Sequence, residues 1–246
     1  MAALAFFVHS VSEGMDSPGE WHVSFMEFSQ QVESEFLYLD KVAMYSANNF
    51  LLDSSKKFGF FQTPSCGELG GYNLLNSGGY PCTADIILAE EIELNLSEFK
   101  NVEPSVNTNL LEKEYTTKFA TSRIIGFSDE EVIFSEENYF KEYFFGYKIK
   151  PSFSIEFGFD IKQEYIDIWN QANDLLIECR GDSSLQSCIN SKKPSNWHFS
   201  SCPGGSFIES NQKVPFCVDS PSGKKLFDPD LGQKVDLNYH LALDFV

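Results

Sequence analysis

The chain contains 246 residues, of which 42% are hydrophobic and 24 are Phe, and its 18 basic and 36 acidic residues leave a net charge of −18. This apolar content excludes intrinsic disorder and is sufficient to build a sizeable core. The negative charge argues against binding to nucleic acid or to an anionic membrane surface, because both depend on cations that neutralise phosphate groups.

The N-terminal segment Ala2–Val8 is apolar but only seven residues long, which is too short to span a bilayer. It also lacks the basic flank and the small-residue cleavage site of a signal peptide. Two interpretations remain open: the segment is a tail or a helix end, or it is the remnant of an N-terminal anchor helix.

A helical pattern follows, from residue 20 to residue 57. Its apolar positions recur at spacings of three and four, and they are Phe25, Phe28, Val32, Phe36, Leu39, Ala43, Ala47 and Phe50. At 1.5 Å per residue this helix is roughly 55 Å long. A helix of that length is either a stalk that contacts partner molecules or a core helix that lies across a sheet.

Two more helices are predicted at residues 84–100 and 163–179, and a short helical turn is predicted near residues 185–190. Residues 59–82 are predicted to form a glycine-rich loop. Other segments alternate between apolar and polar residues, as strands of a half-solvated antiparallel sheet do. These segments are residues 115–120, 123–127, 131–135, 143–150, 152–160, 214–219 and 234–246.

The predicted fold class is therefore α+β, with a long N-terminal amphipathic helix and an antiparallel β-sheet packed against helices. We expect residues 1–57 to form a tail and a stalk-like helix that is continuous with a single α+β domain in residues 58–246.

The six cysteines are Cys66, Cys82, Cys179, Cys188, Cys202 and Cys217. Their number is even, no two form a CxxC pair, and several adjoin Pro or Gly, which is typical of loops stapled by disulfides in an oxidising compartment. Fifteen pairings are formally possible. We expect the pairing between sequence neighbours, Cys66–Cys82, Cys179–Cys188 and Cys202–Cys217.

The alternative to disulfides is a metal site. His198 and Cys202 are four residues apart, and Cys188 and Cys217 could complete a set of ligands. Because structural zinc sites usually have more closely spaced ligand pairs, we expect no metal ion. Asn95, which lies in an Asn-Leu-Ser sequence, is a candidate for glycosylation in an exported protein.

The sequence has none of the common catalytic motifs: the nucleophile elbow, the phosphate-binding loop, HExxH and the EF-hand loop are all absent. Adjacent acidic residues, such as Glu130 and Glu131, indicate solvated faces, since acid–base catalysis needs two carboxyl groups in different environments of one cleft. Asp228-Pro229-Asp230 indicates a turn, and Arg180-Gly181-Asp182 indicates the end of a helix. We therefore expect no catalytic residues and no cofactor.

A combination of segments carries a resemblance to other proteins. The segments are residues 36–47, the Cys66–Cys82 loop with Gly-Gly-Tyr, residues 124–126 and 147–153, Cys179 with Cys188, Trp197 with Cys202, residues 216–218 and residues 241–245. In these, the chain resembles uncharacterised surface proteins of DPANN-type archaea, which carry one N-terminal membrane helix followed by an extracytoplasmic domain. The resemblance covers residues 28–246 and implies export and anchoring, with no particular activity.

Together these observations predict an extracytoplasmic surface or structural protein that is not an enzyme, is pilin-like, and is membrane-anchored in its full-length form. We expect it to self-associate or to bind protein partners through the long helix, and to bind no nucleic acid. The alternative is an extracytoplasmic hydrolase or binding protein that acts on cell-envelope material.

Overall fold

The computed structural model describes residues 7–10, 20–59, 65–78, 80–82, 91–92, 94, 96, 109–138 and 143–246. The helices in these residues are α1 (Glu20–Lys56), α2 (Ile161–Cys179) and α3 (Leu185–Lys192). The first strands are β1 (Phe7–Ser10), β2 (Glu68–Leu69), β3 (Tyr72–Asn73), β4 (Asn76–Ser77), β5 (Tyr80–Pro81), β6 (Glu91–Ile92), β7 (Thr116–Ala120) and β8 (Arg123–Phe127). The remaining strands are β9 (Val132–Asn138), β10 (Tyr143–Ile149), β11 (Ser152–Glu156), β12 (Trp197–Phe199), β13 (Lys213–Asp219), β14 (Lys225–Asp228), β15 (Gln233–Asp236) and β16 (Asn238–Asp244).

The strands form three larger sheets, in the orders β1-β10-β9, β11-β8-β7-β6 and β12-β13-β16, and three two-stranded hairpins, β2-β3, β4-β5 and β14-β15. The chain divides into two compact units. Unit 1 comprises Met1–Ser46, Glu93–Lys118 and Ile124–Ile155, and unit 2 comprises Ala47–Ile92, Phe119–Arg123 and Glu156–Val246. The α+β class, the long N-terminal helix and the antiparallel sheets packed with helices confirm the predicted fold.

Helix α1 ends one residue before its predicted C-terminus and buries one side. The buried residues in its unit 1 portion are Phe28, Val32, Glu35, Tyr38, Leu39, Val42, Ala43 and Ser46. Phe36 contacts Phe134 of β9 with ring centroids 6.1 Å apart, and Phe134 lies 6.2 Å from Tyr147 of β10. Within the described ranges, none of the helices combines the length and the apolarity that a bilayer span requires.

In unit 2, helix α2 packs on the β12-β13-β16 sheet. Asp160 starts the helix, since its side-chain Oδ1 accepts a hydrogen bond from the Gln163 N–H at 2.9 Å, as an N-cap residue does. The buried residues of α2 follow spacings of three and four, and they are Ile161, Glu164, Tyr165, Ile168, Ala172, Leu175 and Cys179. The sheet residues of the same core include Trp197, Val214, Phe216, Val218, Tyr239, Leu241 and Leu243.

Several predicted elements differ from the structure. The strand predicted at residues 234–246 is two strands, because β15 pairs with β14 whereas β16 pairs with β13, and the buried Leu237 lies between them. Apolar residues alternate across the junction without a break, so periodicity cannot reveal a change of partner strand. The strand predicted at residues 152–160 ends at Glu156, since Gly158 has a φ of 69°.

The helix predicted at residues 84–100 is wrong at Glu91–Ile92, which form β6, and most of its other residues lie outside the described part of the chain. The predicted loop at residues 59–82 contains the short strands β2 to β5, and strands β12 and β14 were not predicted. In the N-terminal segment Ala2–Val8, the last two residues, Phe7 and Val8, belong to strand β1, which pairs with β10. They are therefore not part of a tail or of a helix end. Residues 2–6 lie outside the described residues.

The carboxylate of Glu164 is buried between α2 and the sheet, and the side chain retains only 5% exposure. Ser220 Oγ donates to it at 2.8 Å, Ser222 N–H at 3.0 Å and Tyr239 O–H at 2.6 Å. Burial raises the pKa of Tyr239 well above its usual value, and the neighbouring Tyr165 and Glu164 raise it further. The Tyr239 phenol therefore stays protonated and keeps donating to the carboxylate.

We expect Glu164→Gln to lower the free energy of unfolding by about 2–4 kcal/mol, because the amide brings its own N–H donors to a site that is already filled with donors. Urea unfolding followed by circular dichroism measures this change. Asp174→Asn is the matched control, since Asp174 is an exposed acid on the same helix, and it should change stability by less than about 0.5 kcal/mol. Equal effects of the two substitutions would contradict a stabilising role for the network.

Candidate functional site

The β12-β13-β16 sheet of unit 2 carries histidine, cysteine and aspartate side chains on the face opposite α2. Cys217 in the central strand lies directly across from His198 of β12 and from His240 of β16. Residues directly opposite in an antiparallel pair share a face, and residues two apart in one strand do as well. Asp219 therefore joins this set, and we call His198, Cys217, Asp219 and His240 the second face of the sheet.

His198 and Asp219 form an ion pair or hydrogen bond, with 2.9 Å between Nε2 and Oδ2. The main chain of Asp219 makes two hydrogen bonds with Asn196: its N–H donates to the Asn196 carbonyl at 2.9 Å, and its carbonyl accepts from the Asn196 side-chain amide at 3.0 Å. The Asn238 amide, oriented with its nitrogen toward Asp219, donates to Oδ1 at 3.1 Å. These hydrogen bonds hold Asp219 at the end of the central strand β13, beside His198 on the edge strand β12.

Cys202 completes a cluster with this pair. One ligand atom from each of His198, Cys202 and Asp219 lies within 4.8 Å of the other two, and this is the one such metal-capable group among the residues that the structure describes. The Cys202 sulfur is bonded to Cys217. As long as this disulfide persists, neither sulfur can act as a thiolate ligand.

All six cysteines are paired as the sequence analysis expects, in the disulfides Cys66–Cys82, Cys179–Cys188 and Cys202–Cys217. Their Cα atoms are 5.9, 5.7 and 5.5 Å apart, which is within the usual range. The metal site considered as an alternative to disulfides included Cys188. This residue is bonded to Cys179 and is not part of the cluster of His198, Cys202 and Asp219. Sequence analysis missed Asp219, although its position two residues after Cys217 in a strand was a usable signal.

His240 lies in a different environment on the second face. Its ring stacks on Tyr72, with centroids 5.3 Å apart and an angle of 23° between the ring planes. The Tyr72 hydroxyl donates to the Ser200 carbonyl, which holds the tyrosine in place. Burial lowers the pKa of His240, and the positive charge of Lys56 lowers it further.

The other candidate residues do not converge on a site. Asp228 Oδ1 accepts hydrogen bonds from the Asp230 and Leu231 N–H groups, as in a plain turn. Arg180, Gly181 and Asp182 are exposed, and Gly181 has a φ of 72° just past the end of α2. Glu130 and Glu131 are paired with Lys113 and Lys148, respectively. Asn95 lies outside the described residues.

We expect acidification from about pH 7.5 to about pH 5 to destabilise the protein partly through His240. Its pKa in the folded state is below the ordinary 6.5, so the unfolded state binds the proton more readily. The contribution of neutral His240 to the free energy of unfolding is fully present above pH 6.5. It is lost as the pH falls through the lowered pKa that His240 has in the folded state. Urea unfolding at several pH values should show a shallower pH dependence for His240→Gln.

The cause of the shift can be checked separately by an NMR titration of the His240 ring. Lys56→Gln should raise the pKa of His240 toward its ordinary value, because it removes one of the two contributions that lower it. In the urea experiment, a pH dependence of stability in His240→Gln equal to that of the wild type would show that the imidazole has the same pKa in the folded and unfolded states.

Comparison of the chain with protein-family models, with curated proteins and with solved structures found no match.

Proposed function

We propose that this chain is an extracytoplasmic surface or structural protein that is not an enzyme and that is anchored to a membrane in its full-length form. The observation that supports the extracytoplasmic part of the proposal is the pairing of all six cysteines in short-range disulfides, with sequence separations of 16, 9 and 15 residues. Disulfides of this kind form and persist in oxidising compartments. A run of about 20 apolar residues encoded directly upstream of Met1 would support anchoring, and an in-frame stop codon there would contradict it.

The Cys66–Cys82 disulfide supports this proposal through the loop that it closes. Leu74 extends the sheet by bridging to Ala242 of β16, and its neighbour Leu75 donates its N–H to the Ala242 carbonyl at 3.0 Å. Asn76 exchanges hydrogen bonds with the main chain of the buried Asp244. The glycine-rich loop is thereby attached to the last strand at several points, which suits a domain that must remain folded outside the cell.

Helix α1 supports the interaction part of the proposal. Its exposed apolar side chains are Val23, Met26, Leu37 and Met44, and Leu37 is 70% exposed. Leu37 and Met44 are seven residues apart, and Val23 lies two such intervals before Leu37, so these three share one side of the helix. We propose that this apolar stripe contacts protein partners or a second copy of the chain. The seven-residue spacing is the one at which helices pack against each other in coiled coils, and the exposed Gln30 occupies the position between Val23 and Leu37.

The disulfide state can be tested by thiol alkylation and mass spectrometry. We expect no alkylation of the unfolded, non-reduced protein, and alkylation of six thiols after reduction. The double substitution Cys66→Ser and Cys82→Ser should lower the free energy of unfolding by about 3 kcal/mol, as the chain-entropy model gives for a loop of about 15 residues. Alkylation of six thiols without reduction would overturn the oxidising-compartment proposal.

Self-association through the apolar stripe can be tested by size-exclusion chromatography with light scattering at about 0.15 M salt, which screens the negative charge. We expect the apparent mass to rise with protein concentration, and the double substitution Leu37→Ser and Met44→Ser to suppress this rise. Ile177→Ser is the matched control, because Ile177 is a 79% exposed apolar residue on α2. A strict monomer at all concentrations would count against self-association and leave only a heterologous partner.

A further inference from the structure

The geometry points to a zinc site on the second face of the β12-β13-β16 sheet, formed by His198, Cys202, Cys217 and Asp219 and closed by the Cys202–Cys217 disulfide. This inference goes beyond the proposed surface role, and neither depends on the other. In the oxidised protein the two sulfurs are bonded to each other. In the reduced protein they become two thiolate ligands beside an imidazole and a carboxylate.

The positions of the ligand atoms suit a zinc ion. The ligand atoms of His198, Cys202 and Asp219 lie within 4.8 Å of one another, and Nε2 of His198 is 2.9 Å from Oδ2 of Asp219. In a tetrahedral site with metal–ligand bonds of about 2.0–2.3 Å, the ligand atoms are about 3.3–3.8 Å apart. Side-chain shifts of about 1 Å would therefore place these three atoms around one ion.

The backbone brings the fourth ligand to the same place. Cys217 lies directly across from His198 in the β12-β13 pair, and Asp219 lies two residues further along β13, so the three side chains project from one face. The turn after β12 returns Cys202 to the same face, as the disulfide to Cys217 shows. Two thiolates, one imidazole and one carboxylate are all ligand types that zinc accepts.

Neighbouring groups already orient the ligands. The Asn238 amide donates to the second oxygen of the Asp219 carboxylate, Oδ1, and leaves Oδ2 directed at His198. Such hydrogen bonds from surrounding residues hold metal ligands in position and strengthen binding. The His198 and Asp219 side chains are 23% and 44% exposed, so an ion can reach them from solvent. The net charge of −18 attracts cations to the protein.

The change from the disulfide to the zinc-bound state takes two steps, reduction and metal binding. A dithiol reductant attacks the Cys202–Cys217 bond, is itself oxidised to a disulfide, and transfers two electrons and two protons, which leaves two thiols. Zn²⁺ then replaces the two thiol protons, which are released to solvent, and binds both thiolates together with His198 and Asp219. The same four positions would thus hold a disulfide under oxidising conditions and a zinc ion under reducing ones.

The Cys217→Ser variant tests the site without reducing the other disulfides, because it leaves the Cys202 thiol beside His198 and Asp219. Titration with Co²⁺ should give thiolate-to-cobalt charge-transfer bands and the strong visible bands of a tetrahedral complex, at one ion per chain, and Zn²⁺ should remove them. Adding His198→Gln or Asp219→Asn to Cys217→Ser should weaken binding by about ten-fold or more.

The matched control is Cys179→Ser, which frees the half-buried Cys188 thiol elsewhere in unit 2, outside the metal-capable cluster. It should give no cobalt bands. Equal cobalt binding by the two variants, or no bands with a folded Cys217→Ser protein, would overturn the inference.

Should Cys217→Ser fail to fold, the wild-type chain reduced with a phosphine is titrated with Zn²⁺ and compared with reduced His198→Gln. Tighter binding by the wild type at one site would support the inference. Equal binding by the two chains, as six unstructured thiols would give, would overturn it.

Discussion

A carboxylate costs several kcal/mol to remove from water unless other donors replace the lost hydrogen bonds. Glu164 meets this condition in the core of unit 2, where Ser220, Ser222 and Tyr239 all donate to it. These donors come from the end of β13, from the turn that follows it and from β16. The apolar side of α2 provides most of the favourable burial, but many positions of the helix on the sheet would bury a similar area. The need to satisfy Glu164 selects one of them.

The same sheet therefore has two chemically different faces. The face toward α2 is apolar, with Glu164 and its donors at one end, whereas the second face carries His198, Cys217, Asp219 and His240. Core residues of β12 and β13, such as Trp197, Phe216 and Val218, pack beneath the strands that carry His198 and Asp219. A site on regular strands with a packed core behind it can hold its ligand geometry more closely than a site on loops can.

The disulfides link this architecture to the proposed environment of the protein. Cys66–Cys82 closes the loop that extends the sheet beyond β16, Cys179–Cys188 joins the end of α2 to α3, and Cys202–Cys217 holds the turn after β12 against β13. The first disulfide thus joins two ends of one loop, whereas the other two each tie a neighbouring segment to a helix or strand of the unit 2 core. The third disulfide has a further property, because its two sulfurs lie beside His198 and Asp219 and are the ones that would bind a metal ion after reduction.

Periodicity in the sequence was sufficient to predict α1, α2, α3 and most of the longer strands, because each of these elements buries one side and so repeats its apolar residues at its own period. The order of the cysteines along the chain predicted their pairing, since each cysteine pairs with its neighbour in sequence. Strand partners could not be predicted in this way. Apolar and polar residues alternate through Leu237 without a break, although the residues before it pair with β14 and the residues after it pair with β13. The donors of Glu164 lie 56 to 75 residues away along the chain, and His198 meets Asp219 only because β12 pairs with β13. By itself the sequence thus determined the fold class, the two long helices α1 and α2, most of the longer strands and the disulfide pairing of this protein. Only the tertiary structure decided which polar side chains share a face, because register depends on contacts between residues distant in sequence.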